Sequence, residues 1–159
     1  MNKRQISIEG IPAVLWGPES GCFYIAVHGD QSHKEDDVIA IFAGEAAAKG
    51  HRVLSFDLPG HGGRLDETRL YTARHCVEDL EKIMRRARIF ADGVNLFGCS
   101  LGAYFGMLAY RDETIGQALF LSPVVDMKRI IDNMMAWLAG SEERREKDRE
   151  IAQTVKTLS

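Results

Sequence analysis

Ser100 stands in the run Gly98-Cys99-Ser100-Leu101-Gly102. A serine hydroxyl attacks an acyl carbon only when it is exposed, relieved of its proton by a base, and set beside donors that stabilise the developing oxyanion. A sharp turn from strand to helix supplies the exposure. It strains the backbone at the serine and demands small residues two before and two after it. Gly98 and Gly102 hold those two positions, and Ala103 keeps the near side of the following helix small. The run alone is a weak signal, expected by chance in roughly one chain of this length in twenty. Its context strengthens it: Val94 to Phe97 reads as a short strand, and Leu101 to Tyr110 as a helix apolar nearly all round and therefore destined for the core.

The elements around this run alternate in type, which points to α/β architecture. Gln5 to Glu9 and Pro12 to Trp16 read as two strands joined at Gly10 in an N-terminal hairpin. Cys22 to Val27 and Arg52 to Phe56 are nearly continuous apolar runs, as strands covered on both faces require. Between them, Asp36 or Asp37 can cap a helix carrying Val38, Ile41, Phe42, Ala46 and Ala47, closed by Gly50. Asp57 to Gly63 is a turn-rich loop. From Thr72 to Ala91, Cys76, Leu80, Ile83, Met84 and Ala87 recur at helical spacing, and Asp92-Gly93 stops the helix. Ala118 to Leu121 gives one more strand. Beyond Asp126 the pattern turns helical through Leu138, and Ser141 to Ser159 is a charged stretch with little to bury. The expected division is a core over residues 1–125 and a helical, lid-like segment with a charged tail over 126–159.

Three segments recur in one order: Val27-His28-Gly29-Asp30, Asp57-Leu58-Pro59-Gly60-His61-Gly62, and the run around Ser100. Together they resemble the α/β-hydrolase family, in its serine esterase, monoglyceride-lipase-like and serine-aminopeptidase-like branch. The resemblance covers Gln5 to Met127 and implies a three-layer αβα fold around a mostly parallel sheet of about six strands, with an antiparallel N-terminal hairpin. It implies a serine hydrolase cleaving a carboxylic ester or thioester through an acyl-enzyme on Ser100. By position, the backbone N–H groups of Asp30 and Leu101 would form the oxyanion hole, beside Gly29. Met134, Met135 and Trp137 could line an apolar acyl site, a spacing equally suited to a buried helix face.

Set against the family's pattern, something is missing. Its triad runs Ser, then Asp or Glu, then His, and all five histidines here precede Ser100. His28 is better placed to brace its loop, and His61 to support its Gly-His-Gly turn. His51 begins a strand, His75 begins a helix, and His33 in a polar loop is a minor candidate for substrate contact. Asp57 orders its own turn, Asp126 suits a helix N-cap better than a triad acid, and Cys99 reads as a small filler. The expected form is thus a truncated hydrolase fold. Its alternative to catalysis is a hydrolase-like module without acid or base. A sheet stopping at Ala118 to Leu121 would leave a bare apolar edge for a dimer partner or second chain to cover.

Bulk composition adds exclusions. The 159 residues are 45% apolar and 27% charged with a net charge of -3, ordinary for a globular domain. No basic run with interleaved aromatics suggests nucleic acid. Met1 to Gly10 is polar, with nothing resembling a signal peptide or membrane span, so a cytoplasmic location is expected. Cys22, Cys76 and Cys99 form no metal-ligand or disulfide pattern, and no cofactor or metal is implied.

Overall fold

The computed structural model describes residues 2–19, 21–126, 128–129, 132–133 and 136. The chain divides into units Met1–Val125 and Asp126–Ser159. Strand β1 (Lys3–Ile8) turns directly into β2 (Ile11–Trp16), with Ile8 opposite Ile11. Glu9 at φ +49° and Gly10 at φ +85° occupy the turn, the two positive angles of the tight connection that matches strand twist. Four more strands follow: β3 (Phe23–Val27), β4 (Arg52–Phe56), β5 (Val94–Cys99) and β6 (Ile115–Leu121). They complete one six-stranded sheet in the order β1-β2-β4-β3-β5-β6. The first two strands pair antiparallel, and β4, β3, β5 and β6 run parallel.

Period-two alternation along β3 divides the core into two layers. Phe23, Ile25 and Val27 pack with Leu54, Phe56 and Leu96 against helix α2 (Ala73–Phe90) and Phe105 of helix α3 (Leu101–Ala109). Tyr24 and Ala26 face the other way, with Trp16, Val53 and Phe97, against helix α1 (Asp37–Ala48). All five residues of β3 and of β4 are buried, as their continuous apolar runs require.

The helices match their sequence signals unevenly. α2 buries Cys76, Leu80, Ile83, Met84 and Ala87 as expected, starting from a Thr72 side chain that accepts the His75 N–H. α1 is capped by Asp36, which accepts the Ile39 N–H, but it buries Ile39, Ala43 and Ala46 and leaves Ile41 68% exposed. So many of its residues are apolar that periodicity does not choose a face, and contact with the sheet does. α3 was expected wholly in the core. It buries Gly102, Ala103, Phe105 and Gly106, and its remaining face is only half covered among the described residues.

The loop after β4 contains structure absent from the sequence reading. Gly62–Leu70 forms 3₁₀ turns, kinked at Arg64 and Glu67. Arg64 is buried and donates to the Asp57 carbonyl at 3.1 Å and to the buried Asp79 carboxylate at 2.6 Å, and it also pairs with Glu67. An arginine in a polar run gives no sequence sign of burial, because its partner lies on the next helix.

Strand order creates the cleft. From β3 the chain crosses through α1 to β4 on one side, then returns through α2 to β5 on the other. The segments leaving the C-terminal ends of neighbouring β3 and β5 therefore diverge to opposite faces of the sheet, the position where open parallel sheets bind ligands. His28-Gly29-Asp30 and Ser100 lie at those two ends.

Candidate active site

Ser100 joins β5 to α3 with φ +49° and ψ -118°, a conformation that non-glycine residues avoid. The flanking glycines show what imposes it. A Cβ added to Gly98 would lie 2.7 Å from the Ala103 Cα, and one added to Gly102 would lie 2.2 Å from the His28 carbonyl oxygen and 2.5 Å from that of Val27. Helix α3 thus presses its first turn against its own strand and against the end of β3. The Ser100 N–H donates to the Leu121 carbonyl at 3.0 Å, and the Ser100 carbonyl accepts from Ala103 at 3.1 Å and Val124 at 3.2 Å. The elbow is therefore tied on its far side to the end of β6.

The loop after β3 abuts this turn. A Cβ on Gly29 would stand 3.3 Å from both the Cys99 carbonyl oxygen and the Ser100 Cβ. Among the described residues, neither the Asp30 N–H nor the Leu101 N–H has a hydrogen-bond acceptor, and no histidine or carboxylate bonds the Ser100 hydroxyl. The turn is half-buried, and unengaged backbone donors beside it are what a developing anion requires.

His28 is a brace. Its ring is buried, with Nδ1 2.7 Å from the Gly29 carbonyl and Nε2 accepting the Leu58 N–H at 3.0 Å. These partners place the proton on Nδ1 and link the loops after β3 and β4. Burial, reinforced by neighbouring His61, outweighs the Gly29 bond and pushes its pKa down to about 4. A second brace lies beneath. Trp16 donates to the Ser55 hydroxyl at 2.8 Å, and Ser55 donates to the Lys34 carbonyl at 2.7 Å. The fully buried Asp57 carboxylate accepts from the Lys34 N–H at 2.9 Å, the Lys34 ammonium at 2.7 Å and the Gly63 N–H at 2.9 Å. Burial alone would raise the Asp57 pKa, but these donors hold it below the usual carboxylate value. Asp57 orders its own turn and, beyond what its neighbours in sequence suggest, the loop after β3 as well.

The other candidates fall as follows. His61 places Nδ1 2.9 Å from the Pro59 carbonyl, and His51 accepts the Cys22 N–H before β4. His75 contacts its own cap residue, Thr72. Cys99 is half-buried, and burial pushes its thiol up to about 11, so it stays protonated and unreactive. Asp126 accepts the Arg129 N–H at 2.9 Å, a capping contact. Met134, Met135 and Trp137 lie outside the described residues. Between the loops after β3 and β4 is a cavity of about 650 Å³, lined by residues that include Asp30, His33, His61 and Tyr71. His33 accepts the Glu35 N–H through Nδ1. Among the described residues no group of His, Cys, Asp and Glu could hold a metal ion, and no helix is long and apolar enough to cross a membrane. Lys34 and Ser55 were missed as supports because their partners are distant in sequence. The Gly-His-Gly turn was the sole local sign of a packed loop.

Two predictions follow from this geometry. Backbone strain at Ser100 is relieved by glycine and retained by alanine. Ser100→Gly should therefore be more stable than Ser100→Ala by about 1 kcal/mol in urea unfolding, after the entropy glycine adds to the unfolded chain. Equal stability would place the strain elsewhere. The second prediction concerns His28, which unfolded takes up its proton near 6.5 and folded only near 4. The unfolded state binds more protons between these values, so this contribution is complete above about 6.5 and is lost as pH falls toward 4. Calorimetry should show that decline in the wild-type chain and a shallower one in His28→Asn.

Residues 25–155 match the alpha/beta hydrolase family. No curated protein matches the chain in sequence. Among solved structures, the thioesterase domain from the curacin biosynthetic pathway aligns with TM-score 0.64 at 20% identity, over 87% of this chain and 53% of that one. Est1E from Butyrivibrio proteoclasticus, with ferulic acid bound, aligns with TM-score 0.64 at 25% identity, over 76% and 52%. The epoxide hydrolase VrEH1 from Vigna radiata aligns with TM-score 0.63 at 23% identity, over 79% and 39%. The chain spans about half the length of the first two. With its mostly parallel sheet and hairpin in the expected places, the chain belongs to the alpha/beta hydrolase family.

Proposed function

We propose that this chain carries the nucleophile half of a serine hydrolase for carboxylic esters or thioesters, with Ser100 as nucleophile. The observation that carries the reading is the backbone of Ser100, held at φ +49° between glycines that have no room for a side chain. Strain of this kind persists only where packing over-determines it, as the close approach of α3 to β5 and the end of β3 does here. A base would take the Ser100 proton as Oγ bonds to the acyl carbon. The carbonyl electron pair then moves onto oxygen, facing the Asp30 and Leu101 N–H groups. Collapse of that intermediate expels the protonated alcohol or thiol and leaves an acyl group on Ser100, which water removes by the same steps. Each oxyanion donor is worth about 2.7 to 4 kcal/mol to such a transition state.

The base and acid belong to polypeptide beyond the described residues. Strand β6 supports this assignment, because Leu119 and Phe120 are each 37% exposed and Leu121 48% exposed along the outer edge of the sheet. An apolar edge with no strand beside it among the described residues favours added strands. We place the acid and histidine on segments docked there, from the same polypeptide or a second chain.

A fluorophosphonate probe tests the nucleophile, because phosphorus takes the place of the acyl carbon. Labelling should be slow in the chain alone, accelerated by added imidazole acting as the absent base, and lost in Ser100→Ala. Folded protein that stays unlabelled with imidazole present would overturn the proposal and leave a non-catalytic hydrolase-like module.

A further inference from the structure

The cavity between the loops after β3 and β4 holds a carboxylate that lacks a matching cation. Asp30 lines its wall with a side chain 48% exposed, and no lysine or arginine lines it. The nearby cations are engaged elsewhere, Lys34 with Asp57 and Arg64 with Glu67 and Asp79. We infer that this cavity is an ammonium-binding site, and that the substrate arm entering it carries a positive charge.

His61 sharpens the imbalance. Its Nδ1 faces only the Pro59 carbonyl at 2.9 Å and so carries the ring proton, while Nε2 accepts the Gln31 N–H at 3.2 Å. In that tautomer Nε2 has no proton to give the Asp30 Oδ1, 3.3 Å away. A proton on Nε2 would forfeit the Gln31 bond. Tyr71 relieves Asp30 only in part: its buried hydroxyl makes no hydrogen bond of full geometry, although the Asp30 carboxylate, as a nearby charge and side-chain acceptor, adds to the upward push that burial gives its pKa. Asp30 is thus an acceptor beside aromatic walls, in a space sized for a small organic group. A carboxylate repels anionic arms, and an ammonium supplies a matching charge and charge-assisted donors.

The catalytic consequence rests on the reading of the Asp30 N–H as an oxyanion donor. If that N–H holds the oxyanion, the carboxylate of the same residue lies close by and opposes the developing negative charge. A cationic arm bound to Asp30 cancels that opposition, whereas a neutral arm of the same shape leaves it in place. Asp30 then selects substrate by charge.

Binding tests this without any reaction at Ser100. In two-dimensional amide NMR, butylammonium should shift the Asp30, Gln31 and Tyr71 signals and bind about fivefold tighter than butan-1-ol, the scale of a half-exposed ion pair. Butyrate should bind more weakly than either. The same order should hold in Ser100→Ala and collapse to equality in Asp30→Asn, whose dispersed spectrum verifies folding, with Asp30→Ser as the substitute if it fails. Equal binding of the alcohol and the ammonium would overturn the inference. So would an ammonium preference surviving both Asp30 substitutions, or no shift at about 100 mM, near the limit for so small a ligand. Absence of fluorophosphonate labelling would remove the catalytic role and leave this binding order untouched.

Discussion

Much of this structure depends on how closely α3 approaches the sheet. Its first turn lies so near β5 and the end of β3 that a single carbon added at Gly98 or Gly102 would collide with backbone. With strand and helix pressed together, the residue between them must reverse direction within one peptide unit. That forces Ser100 to φ +49° and ψ -118°. The same approach brings the β3 loop alongside, so that Gly29 packs against Ser100. The strained turn at Ser100, the unengaged Leu101 N–H and the proximity of the Asp30 loop are consequences of one packing constraint. Three glycines allow it, and a close-packed core makes a half-ångström relaxation expensive.

The loop opposite Ser100 is held by polar contacts, not by apolar burial. Loop backbone has no ladder to satisfy it, so its groups need side-chain partners. His28 supplies two of them and remains neutral because burial disfavours its charge. Asp57 supplies two more, to the Lys34 and Gly63 N–H groups, and holds the Lys34 ammonium as well, while Ser55 links the loop to Trp16 at the hairpin. These groups surround the cleft from beneath without entering it. Their combined effect is to fix the Asp30 amide, the kind of pre-set donor geometry from which electrostatic stabilisation draws its strength.

The features legible in the sequence were those with local signals. Continuous apolar runs marked β3 and β4, periodicity marked the buried apolar residues of α2, and Gly10 marked the hairpin turn. Ser100 and its glycines were readable because strand, elbow and helix are contiguous. Contacts between distant residues were not. The Lys34–Asp57 pair spans 23 positions and the Arg64–Asp79 pair 15, and a charged residue carries no mark of its future partner. The face of α1 was likewise hidden, since an almost uniformly apolar helix lets the sheet decide which residues it buries. The expected acyl-site residues Met134 and Trp137 fall outside the described residues.

At the opposite edge from the hairpin, β6 carries apolar side chains into the open and its Leu121 carbonyl receives the Ser100 N–H. Whatever docks on that edge is therefore coupled by one hydrogen bond to the candidate nucleophile. Among the described residues the cleft brings the proposed nucleophile together with the proposed donors, and no histidine or carboxylate bonds the Ser100 hydroxyl. The most direct measurement is a crystal structure of the chain after phosphonylation in the presence of imidazole. The account predicts phosphorus bonded to the Ser100 Oγ, with the phosphonyl oxygen about 2.7 to 3.1 Å from both the Asp30 and Leu101 nitrogens. An adduct on another residue, or a phosphonyl oxygen turned away from those two amides, would contradict it.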